Sequence, residues 1–141
     1  MVIMSIDLGA ARTGVAVCDK GEILASPVGV IKSDYFPKII EKIGEYCKIY
    51  RPELIVVGNP VNMDGSSGES SKKCTEFASI LFEQVQIKTV LWDERKTTVI
   101  AHGMLNEVNV RGKKRKDTVD AVAATVILED YLRYRKNKAI L

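Results

Sequence analysis

The chain has 141 residues, 46% of them hydrophobic and 28% charged, with a net charge of +3, a balance that suits one soluble globular domain over residues 1–141. No apolar run approaches the roughly 20 residues needed to cross a bilayer, and no basic segment precedes an apolar one at the N-terminus, so neither a membrane partner nor export is expected. Cys18, Cys47 and Cys74 are odd in number, far apart and without a C-x-x-C pair, which argues against a zinc site or a disulfide framework and fits the cytoplasm.

Residues 2–8 are apolar apart from Ser5 and Asp7, the pattern of a buried strand. A turn over 9–13 leads into a second strand over 14–19. Asp19-Lys20-Gly21 opens a third over 23–31, which completes an antiparallel meander. Ser33 or Asp34 is placed to cap a helix with Pro37 in its first turn, and Ile39, Ile40, Ile43, Cys47 and Tyr50 recur at helical spacing. Arg51-Pro52 stops that helix. Leu54-Ile55-Val56-Val57 before Gly58 reads as a buried parallel strand, and 59–65 as a loop. Ser66 and Glu69 have the spacing of a capping box. The helix they open carries Cys74, Phe77, Ala78, Leu81, Phe82 and Val85 on one face. Residues 87–92 form another strand, with Trp92 in the core and Asp93-Glu94-Arg95 at its end. A helix over about 97–105, a basic loop and a helix over about 117–134 capped by Asp117 complete the chain. The last two strands are each reached through a helix, so each runs parallel to a neighbour by right-handed crossover. The expected architecture is an α/β fold: a five-stranded mixed sheet, antiparallel meander first and parallel strands after, flanked by helices.

Three acids stand out against apolar surroundings. Asp7 ends the first strand, where Arg12 or a metal ion could offset its charge; a turn-capping Asp is the plain alternative. One of Asp93 and Glu94 ends the last strand, and Glu94 is preferred for its longer reach. Asp120 lies on the Ala124, Ile127 and Tyr131 face of an apolar helix, where a carboxylate needs a partner. Ligands collect at the carboxyl ends of parallel strands. Carboxylates gathered there require a cation, and oxygen-only ligation favours Mg²⁺ or Mn²⁺ over zinc. The cations are also uneven: Arg111, Lys113, Lys114, Arg115 and Lys116 sit together, and Arg133, Arg135, Lys136 and Lys138 crowd the C-terminus. Such local density suits a polyanion. Metal-binding acids beside phosphate-binding cations are the requirements of nuclease chemistry. Residues 65–72 lack the G-K-[ST] ending of a phosphate loop, and His102 reads as a surface residue.

Asp7-x-Gly9-x-x-Arg12-x-Gly14-Val15-Ala16, Gly58-x-Pro60-x-Asn62-Met63-Asp64-Gly65, Asp93-Glu94-Arg95-x-Thr97-Thr98 and Asp120-x-x-Ala123-Ala124-x-x-Leu128 together resemble the YqgF family over about residues 2–134. The resemblance implies the RNase H-like fold of Holliday-junction resolvases. It implies a nuclease that either matures the precursor of small-subunit (16S) ribosomal RNA or resolves four-way DNA junctions. By resemblance, Asp7, the acid of the Asp93-Glu94 pair and Asp120 bind metal and catalyse; the site is taken as Asp7, Glu94 and Asp120 with Mg²⁺ or Mn²⁺. Arg12, Arg95, Lys113, Lys114, Arg115 and Lys116 are the expected contacts to structured RNA or branched DNA. Cys18, Asn59 and Lys96 depart from the family pattern without removing an acid. Two other functions stand beside this one. An ATP-using sugar kinase of the same fold would need a second domain to close over the nucleotide, for which the chain has no room. A non-catalytic nucleic-acid-binding module would keep the acids but not cut. Whether the chain forms a homo-oligomer is left open.

Overall fold

The computed structural model describes residues 1–59, 68–93 and 112–140, with side chains in the last segment placed at 122–138. Strands β1 (Ile3–Leu8), β2 (Arg12–Cys18) and β3 (Ala25–Lys32) are followed by helix α1 (Phe36–Tyr50), strand β4 (Leu54–Asn59), helix α2 (Glu69–Val85), strand β5 (Lys88–Asp93) and helix α3 (Gly112–Ile140). The five strands form one sheet in the order β3-β2-β1-β4-β5. β1–β2 and β2–β3 are antiparallel, while β1–β4 and β4–β5 are parallel. The expected mixed sheet is therefore present, and β1 is its centre.

Alternation along the strands divides the core into two layers. Met4, Ile6, Val15, Ile55 and Val57 pack with Ile39 and Ile43 of α1 and Phe77 and Leu81 of α2. Ile3, Ala16, Cys18, Leu54, Val56 and Trp92 pack with Ala124, Ile127, Leu128 and Leu132 of α3. Trp92 is in the core as expected, edge-on to Tyr131 with ring centroids 5.4 Å apart.

Several local expectations are corrected. β2 begins at Arg12, so the first turn is shorter than 9–13. It is tight at Gly9, where a Cβ would fall on the Arg12 carbonyl oxygen. β3 starts at Ala25; Ile23 and Leu24 are exposed, and their N–H groups donate to the Asp19 carboxylate at 2.8 and 3.2 Å. The N-cap of α1 is Tyr35 without a side-chain cap, because Ser33 Oγ instead accepts from the Tyr35 N–H at 3.1 Å. Its end is as expected: Arg51 takes the left-handed conformation (φ 51°) and donates to the Cys47 carbonyl at 2.8 Å. α2 has Gly68 as N-cap, which places Glu69 in the first helical position and not in a capping box. There its charge complements the helix dipole. Phe82, expected on the buried face, is half exposed. Residues 112–116, expected in a basic loop, are helical, so Asp117 lies inside α3 and not at its N-cap position.

Candidate active site

Asp7 is the penultimate residue of β1 and is half-buried. The face it occupies follows from Ser5, two residues earlier. Ser5 is fully buried, and its Oγ donates to the Ala124 carbonyl at 2.6 Å. Ile3, Ser5 and Asp7 therefore share the side of the sheet covered by α3. Asp7 stands opposite Gly14 of β2 in register. On the other flank, the residue following the Ile6–Val57 pair in β4 is Gly58. Asp7 is thus flanked in register by a glycine on each neighbouring strand.

The direction of α3 brings position 120 toward the same place. Near its C-terminal end, Arg135 Nε donates to Glu22 Oε1 at 2.7 Å, and Glu22 Oε2 accepts from the Met1 amine at 3.1 Å. The helix thus passes the start of β1 with Arg135 and the middle of β1 with Ala124. One helical turn back from Ala124 is about 6 Å and reaches position 120. Two residues onward from Ser5 is about 6.6 Å and reaches Asp7. The two steps have the same direction and nearly the same length, so the turn of α3 bearing Asp120 lies over the strand end bearing Asp7. The Asp120 side chain is outside those described.

Asp93 is on the other face. It pairs with Asn59 in register, and Asn59 Oδ1 accepts from Ser71 Oγ of α2 at 2.7 Å. Its neighbour Trp92 faces α3. Asp93 and Asp7 are therefore on opposite sides of the sheet, with β4 between their strands. Glu94, Arg95, Lys96, the loop 60–67, the expected helix over 97–105, His102 and Arg111 lie outside the described residues. Arg12 opens β2 on the Asp7 face. Positions 113–116 occupy the first turns of α3, their side chains outside those described.

Among the described residues no three carboxylate, histidine or cysteine groups come together. What the described part could offer a metal ion is one half-buried carboxylate at a strand end, flanked by glycines and overlain by a second acidic position. That donor set is oxygen only, which fits Mg²⁺ or Mn²⁺. Sequence reasoning passed over Ser5, although a lone hydroxyl two residues before Asp7 in an apolar strand was the available signal.

The model of the RuvX family, described as Holliday junction resolvase, matches residues 1–134. The chain belongs to the RuvX family. The relatives agree. A protein of Clostridium tetani named "Putative pre-16S rRNA nuclease" is 39% identical over 138 residues, covering 98% of this chain and 100% of its own. One of the same name from Caldanaerobacter subterraneus is 38% identical, covering 97% and 99%. RuvX is thus the family that the four motifs resemble under the name YqgF, a family of nucleases. The fold agrees too. RuvC of Thermus thermophilus, solved with a Holliday junction substrate, superposes with a TM-score of 0.58 at 15% identity over 95% of this chain and 96% of its own. The RuvX chain accordingly has the RNase H-like fold of RuvC. Among its described residues no helix is long and apolar enough to cross a membrane.

Proposed function

We propose that this protein is a divalent-metal-dependent endonuclease that cuts phosphodiester bonds in structured nucleic acid, with the precursor of 16S ribosomal RNA as its substrate. The observation that carries the reading is the superposition of two acidic positions: Asp7 at the end of the central strand and Asp120 on the α3 turn above it. Glu94 supplies the third carboxylate. It is chosen over Asp93 because Asp93 is on the α2 side, away from Asp7. Asp7, Glu94 and Asp120 hold Mg²⁺ or Mn²⁺, which when bound supplies an activated water and charge stabilisation for the leaving oxygen. The chain's own part is to fix the carboxylates on the sheet and on α3, and to hold phosphates. Arg12, Arg95 and the cations at 113–116 do the latter. The domain covers the whole chain, and its place of action is the cytoplasm.

A four-way DNA junction is the second substrate to consider, because the family model is described as a resolvase. Both substrates are bent, branched polyanions. The test is cleavage of a 16S precursor fragment and a four-way junction side by side in Mn²⁺, by wild type and by Asp7→Asn. Cutting of the RNA alone, abolished in the variant, is expected. Cutting of the junction alone would reassign the substrate. Binding without any cutting would make the protein a non-catalytic module.

A further inference from the structure

We propose that the chain pairs with a second copy of itself through the β2–β3 turn and the C-terminal part of α3. This surface is at the end of the sheet away from Asp7, because the turn follows Cys18 and Val17 is opposite Met4. The turn is closed by its own hydrogen bonds. The Asp19 carboxylate accepts from the Ile23 and Leu24 N–H groups, and the Asp19 N–H donates to the Leu24 carbonyl at 3.2 Å. Glu22, in the left-handed conformation (φ 57°), donates to the Asp19 carbonyl at 3.1 Å. These bonds hold two branched apolar side chains out in water: Ile23 is 84% exposed and Leu24 64%. Ile23 is the most exposed large apolar side chain among the described residues. A turn fixed in this way has little freedom left to lose when it docks.

Between this turn and α3 runs an open groove of about 740 Å³, with Ile23 and Leu24 on one side and Glu129, Leu132, Arg133 and Lys136 on the other. Leu132 is buried against the sheet, while Glu129, Arg133 and Lys136 are exposed. Spaced by four and three residues, those three form one stripe along the helix. Its signs are mixed, acid at one end and base at the other, and neither Glu129 nor Lys136 belongs to an ion pair among the described residues. A partner of uniform charge meets repulsion at one end of such a stripe. An inverted copy of the same stripe meets none. With two α3 helices antiparallel about a two-fold axis between positions 132 and 133, Glu129 of each copy faces Lys136 of the other. Arg133 stands beside the axis and keeps its own counter-ion, Asp130, at 3.3 Å. Ile23 and Leu24, beside the stripe, then close against the other copy and leave water. The Asp7 ends point outward, the two α3 positions 120 being about 38 Å apart along the helix axes, so the pairing covers neither site.

The test is sedimentation of the full chain over a concentration series. Wild type should shift from monomer to dimer as concentration rises. Ile23→Ser together with Leu24→Ser should raise the dissociation constant by about tenfold or more, with an unchanged thermal melt because both side chains are exposed in the monomer. Glu129→Lys and Lys136→Glu should each weaken the dimer severalfold, since each sets like charges opposite one another twice. The decisive sample is the equimolar mixture of those two variants. In it every facing pair is again of opposite sign, so a mixed dimer should form where neither variant pairs alone, and the chain carrying both substitutions should pair like wild type. A monomer at every concentration overturns the proposal and leaves the surface to a different protein. A dimer indifferent to the turn and to both charge reversals overturns it too, by placing the contact elsewhere. Charge variants that weaken the dimer singly but do not recover in the mixture overturn the antiparallel pairing on which the proposal stands.

Discussion

Asp7 stands at the end of a strand, between two glycine positions and beneath a second acidic position. Two charges about 6 Å apart at an effective dielectric near 20 repel by roughly 3 kcal/mol before salt and relaxation reduce it. A net destabilisation of about 1 kcal/mol follows for the metal-free fold, a cost common at functional sites. Asp7→Asn should therefore melt at or above the wild-type temperature in chelator, gain less from millimolar Mg²⁺ or Mn²⁺, and not cut. A variant melting several degrees lower, with a normal metal response, would make Asp7 a structural partner of its own turn. The side taken by Asp93 gives the second expectation. Glu94→Gln should abolish cleavage, whereas Asp93→Asn, altered on the α2 side, should retain a measurable part of it. Loss of activity in Asp93→Asn alone would reverse the assignment. The cysteines take no part in this chemistry. All three are buried, and burial pushes the Cys47 thiol up to about 11. They should react with a thiol reagent at pH 8 only when the protein is unfolded.

α3 is the element that joins the two halves of the site, and two polar contacts fix how it lies on the sheet. One is Ser5 Oγ to the Ala124 carbonyl. Removing it in Ser5→Ala should cost about 1 kcal/mol. Ser5→Val adds bulk where the helix already touches the strand. It should cost about 1 to 3 kcal/mol and reduce cleavage more than its stability loss accounts for, by lifting position 120 off Asp7. Paired urea melts and turnover rates of the two variants measure this. The other contact is the Glu22–Arg135 pair, which ties the far end of α3 to the β2–β3 turn. The Arg135 hydrogen bond, helped by the Met1 amine, holds the Glu22 carboxyl below the ordinary glutamate value. A depressed carboxylate stabilises the fold above its unfolded pKa of about 4.3, and that stability is lost as pH falls through the lower folded value. Glu22→Gln should thus be less stable than wild type at pH 7, by about 1 kcal/mol or less because the pair is partly exposed, and equal to it near pH 3. Chemical denaturation at the two pH values checks the sign.

At the scale of the molecule, α3 is longer than the sheet it covers. Its 29 residues extend about 43 Å, against about 20 Å for the six of β1. Ala124 lies over the middle of β1, so the helix from position 112 projects past the carboxyl ends of the strands. The basic run 113–116 is on that projection, at the same end of the molecule as Asp7. Consecutive helical residues are about 100° apart, so Lys113, Lys114, Arg115 and Lys116 go around the helix and do not all meet one ligand. Replacing all four by Ala should flatten the salt dependence of nucleic-acid binding by roughly two units, not four, and leave turnover at saturating substrate nearly intact. Binding titrations across salt concentrations measure it; an unchanged slope would mean the run is only solvated charge.

Much of this was local enough to read along the chain. Apolar runs such as residues 54–57, the 3.6-residue spacing of Ile39, Ile40, Ile43 and Cys47, and the Arg51-Pro52 stop depend on neighbours a few positions away. So does the mixed sheet, because a short turn demands an antiparallel partner and a helical crossover a parallel one. The errors lay where composition stood in for geometry. Ile23 and Leu24 are apolar, yet a side-chain acceptor on Asp19 keeps them in an exposed turn. Lys113–Lys116 are polar, yet Lys and Arg are good helix formers and α3 continues through them. What no local pattern contained was sidedness. That β4 separates β1 from β5, that Asp93 belongs with α2, and that Ser5 places α3 above Asp7 depend on contacts between residues far apart in sequence. The acids were legible as residues out of place in apolar strands and helices. Which of them share one face was decided only when the sheet closed and α3 docked, because a strand offers both faces until packing chooses one.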